Sequence, residues 1–120
     1  PAQGGFAMTL ARLQADRGET AQGIATLRKG LEHAQGSADY VAFLAALLQR
    51  QGRHEEAIEQ FQGALLLRPA AGVWWLGLGI SLQAANRMLE AQDAYRRAHA
   101  SNNLNPELAA FAEQRLKQLQ

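Results

Sequence analysis

Val73-Trp-Trp-Leu-Gly-Leu-Gly-Ile-Ser-Leu-Gln-Ala-Ala-Asn86 lies 34 residues downstream of Asp39-Tyr-Val-Ala-Phe-Leu-Ala-Ala-Leu-Leu-Gln-Arg-Gln-Gly52, and the two agree in size class along their length. The same offset carries the second stretch back onto Gly5-Phe-Ala-Met-Thr-Leu-Ala-Arg-Leu-Gln-Ala-Asp-Arg-Gly18. Working outward gives seven columns in register: Phe6/Tyr40/Trp74, Leu10/Leu44/Leu78, Ala11/Ala45/Gly79, Gly18/Gly52/Asn86, Gly23/Ala57/Ala91, Leu27/Phe61/Tyr95 and Gly30/Ala64/Ala98. A fixed period of this length is the mark of a stacked repeat, in which one supersecondary unit recurs and buries its apolar face only against its neighbours.

Each column has a physical reason. Gly18, Gly52 and Asn86 fall where one helix stops and the chain turns back; Gly and Asn are the residues that tolerate the left-handed conformation such stops use. The Gly23 and Gly30 columns stay small so that helices approach closely. The large residue between them fills the space they leave, which is how packed layers interlock at native density. Apolar residues recur at three and four places, as in Leu44, Leu47, Leu48 and Ala57, Ile58, Phe61, Leu65, the period of an amphipathic helix. The pattern predicts helices over 5–17, 20–34, 37–51, 54–67, 71–85, 88–101 and 106–119. Arg68-Pro69 ends the fourth, because the residue before proline avoids the helical region. Asn105-Pro106-Glu107 opens the last, with an N-cap side chain, a proline at the first position and an acid at the positive helix end. The fold class is all-α: an α-α superhelix of three helix-turn-helix repeats, about 4–37, 38–71 and 72–105, plus a capping helix at 106–119, forming a single domain over 4–120.

Composition narrows the function. Twelve Lys and Arg stand against 11 Asp and Glu, so the net charge is +1. The basic residues are scattered apart from Arg96-Arg97, which argues against a nucleic-acid or anionic-membrane surface. No apolar run approaches the ~20 residues of a membrane-spanning helix. The chain has no cysteine, which removes disulfides and thiolate chemistry without deciding the compartment. It begins at Pro1 and is read as a piece of a longer protein.

No catalytic, metal or cofactor site is expected. His54-Glu55-Glu56 lacks the second histidine of a zinc-protease helix, whose place holds Ile58, and is read as a solvated helix start with acids complementing the dipole. Gly77 and Gly79 make a lone GxG inside a helix, without the strand a dinucleotide site needs. Trp74 and Trp75 point about 100° apart on a helix and form no single stacking platform; Trp75 is expected to pack inside its own repeat and Trp74 on the preceding helix. Asp93 and Arg97 read as an ordinary surface pair.

The run Trp75-x-x-Leu78-Gly79-x-x-Leu82, then Ala91-x-x-x-Tyr95 and Ala98, resembles the tetratricopeptide repeat (TPR), as do Leu44-Ala45, Leu48, Ala57-x-x-x-Phe61, Ala64 and Pro69. The likeness covers about residues 4–103. It is weakest in the first repeat, with Ala7 at the tryptophan place and Gln14 at the tyrosine place. A narrower resemblance, carried by residues 40–57, 73–84 and Leu104-Asn-Pro-Glu-Leu108, is to the C-terminal repeats of biogenesis proteins of the mannose-sensitive haemagglutinin (MSHA) type IV pilus. That likeness implies the periplasmic part of an inner-membrane-anchored protein that helps to assemble the pilus.

The TPR resemblance also implies a concave face lined by the first helix of each repeat. Carried over residue by residue, the lining is Gly5, Met8, Arg12, Ala15 and Asp16, then Asp39, Ala42, Ala46, Gln49 and Arg50, then Val73, Leu76, Ile80, Gln83 and Ala84. Met8, Ala42, Ala46, Leu76 and Ile80 would form an apolar strip flanked by Arg12, Gln49, Arg50 and Gln83. Such a lining suits an apolar, near-neutral protein or peptide segment rather than an acidic peptide end. Three uses of the face stay open: a partner groove, coverage by Leu108, Phe111 and Leu116 of the last helix, or a homodimer. The expected role is a protein-interaction scaffold, with an oligomerisation domain or an accessory domain of an enzyme as alternatives.

Overall fold

The computed structural model describes residues 2–34 and 36–120. They form seven α-helices: α1 Ala2–Asp16, α2 Thr20–Lys29, α3 Ala38–Arg50, α4 His54–Leu67, α5 Gly72–Ala84, α6 Met88–Ala100 and α7 Pro106–Leu119. There is no strand among the described residues. Each helix packs on its neighbours in sequence, and the first helices of successive repeats also touch, α1 with α3 and α3 with α5. The result is an elongated stack, 42 × 24 × 23 Å, with α1, α3 and α5 side by side along one face.

The turns obey the column that marks them. Gly18 has φ 81°, Gly52 φ 74° and Asn86 φ 63°. After each, the next amide reaches back five residues: Glu19 N–H to the Gln14 carbonyl, Arg53 N–H to Leu48 and Arg87 N–H to Leu82, at 2.8, 2.9 and 2.9 Å. These bonds satisfy carbonyls that the end of a helix leaves without partners. At α7 the N-cap reading is met, since Asn105 accepts from the Leu108 amide and Pro106 sits in the first turn.

One helix differs from expectation. The sequence reading ran the second helix to residue 34, but α2 stops at Lys29 and the chain tightens into a 3-10 turn, Leu31–His33. Gly30 is the cause: it lies against the next repeat, where a Cβ would come 2.7 Å from the Tyr40 hydroxyl, and it is a poor helix former.

The core runs continuously through the stack. Leu27, Leu44, Leu48, Ala57, Ile58, Ala91, Tyr95 and Ala98 are all buried. Small columns receive large side chains. A Cβ at Gly23 would come 3.1 Å from Leu47 Cδ1, one at Gly77 2.5 Å from Phe61 Cζ, and one at Gly79 2.9 Å from the Tyr95 ring. The lone GxG is thus explained by two aromatic rings that come close to the helix backbone where a side chain is missing. Buried polar groups are matched: the Tyr40 hydroxyl donates to the Leu27 carbonyl at 2.6 Å, bonding repeat two to repeat one.

Outside the core, ion pairs link the second helices. Arg28 pairs with Glu56 at 2.7 Å and Arg87 with Glu55 at 3.0 Å. Arg53–Glu56 and Arg87–Glu90 repeat the same local pair at the same offset. The acids after His54 are therefore tied to arginines rather than merely solvated. The hydrogen bonds from Arg53 and Arg87 hold the Glu56 and Glu90 carboxyls below their ordinary range, so this support is present at neutral pH and fades as acid protonates them.

Gly52→Val should destabilise the chain by about 1–2 kcal/mol, because a branched side chain cannot take the left-handed turn without strain. Asn86→Gly should leave stability unchanged or slightly raised. Urea unfolding followed by circular dichroism checks both, and equal midpoints for Gly52→Val and the parent would contradict the turn argument.

Candidate partner-binding groove

The side-by-side α1, α3 and α5 leave a concave groove of about 660 Å³. Met8 and Arg12 from α1, Asp39, Ala42, Phe43, Ala46 and Gln49 from α3, and Val73, Trp74, Leu76, Gly77 and Ile80 from α5 line it. Phe61 of α4 and Leu108 of α7 complete the lining. The register explains the set: residues three, four and seven apart share one helix face, and the offset between repeats places equivalent faces beside each other.

Nine of the residues carried over by sequence meet here: Met8, Arg12, Asp39, Ala42, Ala46, Gln49, Val73, Leu76 and Ile80. Two of the flanking residues do not. Arg50 is exposed at the end of α3, outside the lining. Gln83 is turned toward the C-terminal end of the stack, where its Oε1 accepts from the Tyr95 hydroxyl at 2.8 Å and from Arg115 at 3.1 Å. A buried phenol needs an acceptor, and Gln83 is the one within reach; burial pushes that phenol's pKa up, with Arg115 opposing. Among the less central places, Ala15 is in the core, and Gly5, Asp16 and Ala84 are exposed outside the groove lining.

Four lining residues escaped the sequence reading: Phe43, Phe61, Trp74 and Gly77. Phe43 follows Asp39 by four places, so helical spacing alone could have found it. Gly77 occupies the same column, and its missing side chain is what lets the Phe61 ring reach the groove floor. Leu108 was foreseen as cover over the strip. It joins the lining from α7, while Phe111 packs edge-on to Tyr95 at 6.5 Å. The last helix therefore borders the groove without filling it.

The charges at the groove are largely answered within the chain. Asp39 pairs with Arg68 at 3.2 Å, and the Arg68 guanidinium lies over the Trp74 ring at 4.9 Å. Arg12 lies over the Phe43 ring at 4.8 Å, which presents its stem and plane to the groove and leaves its charge at the rim. Gln49 is a tie rather than a free donor. Its Nε2 donates to the Gly77 carbonyl and to Ser81 Oγ, both at 2.8 Å, joining α3 to α5. Ser81 is fully buried and its hydroxyl lies 3.0 Å from His54 Nδ1. His54, read from sequence as part of a solvated helix start, thus closes a Gln49–Ser81–His54 link across two repeats.

The two tryptophans line separate hollows. Trp74 lines the groove and packs with Val41, Ala42 and Ala64, on α3 and α4. Trp75 lines a separate hollow with Leu78, Leu82 and Ala94, donates its Nε1–H to the Pro69 carbonyl at 2.8 Å, and carries Arg97 over its ring at 5.1 Å. Both match the sequence expectation of packing rather than of a shared stacking platform. No cluster of His, Cys, Asp and Glu suited to a metal occurs among the described residues, and none of their helices is long and apolar enough to cross a membrane.

An all-α stack of paired helices with a concave, apolar face is the architecture of tetratricopeptide-repeat domains. Solved structures of that class superpose closely. The TPR domain of Sgt2 from Aspergillus fumigatus is 19% identical at TM-score 0.87, over 99% of this chain and 80% of that one. The first TPR of Spaghetti (RPAP3), bound to the HSP90 peptide SRMEEVD, is 15% identical at TM-score 0.87, over 98% and 94%. The Yersinia enterocolitica type III secretion chaperone SycD, in complex with a peptide of the translocator YopD, is 15% identical at TM-score 0.88, over 95% and 89%. The chain thus has the TPR α-α superhelix fold. No family model and no curated protein matches the sequence.

Ser81→Ala should cost about 1–2 kcal/mol, since it removes the hydroxyl that both Gln49 and His54 meet in a buried place. Chemical unfolding measures it, and an unchanged midpoint would show that the link contributes nothing to the α3–α5 junction.

Proposed function

We propose that this chain is an interaction scaffold whose concave groove holds an apolar, near-neutral segment of a partner protein. The observation that carries this reading is the lining itself. Met8, Phe43, Ala46 and Ile80 offer apolar surface over a floor that includes the buried Ala42 and Leu76, while Asp39 is answered by Arg68 and Arg12 is laid over Phe43. An apolar helix face or extended segment gains by covering such a strip. An acidic peptide end would find no row of lysines and arginines there. Proteins of the same fold that hold an HSP90 peptide and a YopD peptide support the use of this architecture for docking segments. The helices are already packed, so docking orders little of the scaffold.

We further infer that the parent protein serves assembly of an MSHA-like type IV pilus or related secretion machinery, and that this domain is periplasmic. The support is the likeness of residues 40–57, 73–84 and 104–108 to MshN, the biogenesis protein of that pilus.

Ile80 is only partly buried at the groove edge of the core, so Ile80→Glu should fold, which circular dichroism checks. With the chain immobilised as bait in an extract of a pilus-bearing bacterium, the parent should retain a pilus-assembly protein. Ile80→Glu should weaken its binding, measured by calorimetry on the purified pair, by about tenfold or more. Full-strength binding by that variant rules out the groove, and capture of proteins unrelated to pili rules out the assignment to that machinery.

A further inference from the structure

The groove is not alike along its length. In its α1–α3 half, Arg12 of α1 lies over the Phe43 ring of α3 at 4.8 Å, and the pair spans the gap between the two helices. One repeat further on, the same two places hold Ala46 of α3 and Gly77 of α5. A guanidinium with its stem and a phenyl ring are replaced there by a methyl group and a hydrogen atom. Met8 is likewise followed by Ala42. All of these residues line the groove, so its α3–α5 half is open where the α1–α3 half is filled.

The opening has a closed bottom and apolar walls. Phe61 of α4 forms the bottom: its ring packs where a Gly77 side chain would stand, and a Cβ there would come 2.5 Å from Cζ. Leu76 and Ile80 border the opening on α5, and Phe43 borders it on α3. The polar groups beside it are engaged already. Gln49 Nε2 donates to the Gly77 carbonyl and to Ser81, and Asp39 is paired with Arg68. A charged side chain placed there would exchange its hydration for an apolar lining. α3 packs against α1 on its other side and α5 against α6, so the walls lie inside the stack.

Resting on the groove reading above, we infer that the α3–α5 half is an anchor pocket. It takes one large apolar side chain, of leucine size or greater, from the docked partner segment. Ala46 and Gly77 are the residues that make room for it, and they set the size of residue admitted. Interfaces concentrate their binding energy in a few large side chains seated in pockets near the centre, with near-neutral contacts around them. Here the surround is Met8 and the Arg12–Phe43 pair, which cover the segment without admitting a side chain. The partner is therefore recognised by one position more than by its overall apolar character.

A random peptide library displayed on phage and selected on the immobilised full chain supplies the probe. Enriched peptides should share one position held by Leu, Met, Phe or Trp, and Ile80→Glu should release them. In a synthetic copy, alanine at that position should weaken binding about tenfold or more by calorimetry. Ala46 is exposed, so Ala46→Phe should keep the parent's circular dichroism while filling the pocket. It should weaken the parent peptide about tenfold too. The two losses should not add: on Ala46→Phe the alanine peptide should lose less than about a further twofold, because the anchor has no pocket left to leave. In the labelled parent chain, the anchor side chain should give NOEs to the Ala42 and Ala46 methyl groups. Peptides that depend on Ile80 but share no large apolar position overturn the pocket and leave the groove reading standing. Full-strength binding to Ala46→Phe, additive losses, or an anchor without those NOEs do the same. Failure to enrich any peptide, or peptides indifferent to Ile80→Glu, overturns both readings together. Groove signals that move with protein concentration alone make a second copy the occupant and overturn the partner segment.

Discussion

Close approach between the second helix of one repeat and the first helix of the next is the constraint on which the remaining structure depends. It is built from large side chains set against small ones, Tyr40 on Gly30, Leu47 on Gly23 and Phe61 on Gly77, and Tyr95 on Gly79 repeats the device between the two helices of the third repeat. A Cβ at three of these glycines would fall within 3.0 Å of its neighbour, so the helix spacing there is set by the absence of a side chain. Interiors are close-packed, and such a junction has little room to relax. Two such junctions, α2–α3 and α4–α5, place α1, α3 and α5 in a row. The groove is the consequence of that row.

The polar contacts secure what packing brings together. The Tyr40 hydroxyl caps the Leu27 carbonyl, and the Gln49–Ser81–His54 link joins the second repeat to the third beneath the groove. Asn103 does the same at the back of α5, accepting from the Gly72 amide and donating to the Ala70 carbonyl. Each satisfies groups that would be costly to bury alone. The exposed ion pairs along α2, α4 and α6 add modest support, since surface pairs are screened by water and salt. The face offered to a partner is thus rigid and largely apolar, with Asp39 paired to Arg68 and Arg12 laid over Phe43.

Much of this was readable in the chain. Period, turn residues and small columns gave the seven helices, the three left-handed turns and most of the groove lining, because each depends on local conformation or on helical spacing. The early end of α2 was missed because Gly30 answers to Tyr40 in another repeat. Gln83 was placed in the groove by analogy of position, yet the Tyr95 hydroxyl and Arg115 draw it away. His54 looked solvated because nothing nearby in sequence announces Ser81 as its neighbour.

The sequence by itself therefore determined the repeat, its handed turns and the kind of surface that faces inward, since these follow from spacing and from the conformational range of glycine and asparagine. Only the tertiary structure decided which polar groups pair across repeats and how far α7 reaches over the groove. Those outcomes depend on which surfaces meet in three dimensions, and a column of matching residues is silent about side chains that meet from different repeats.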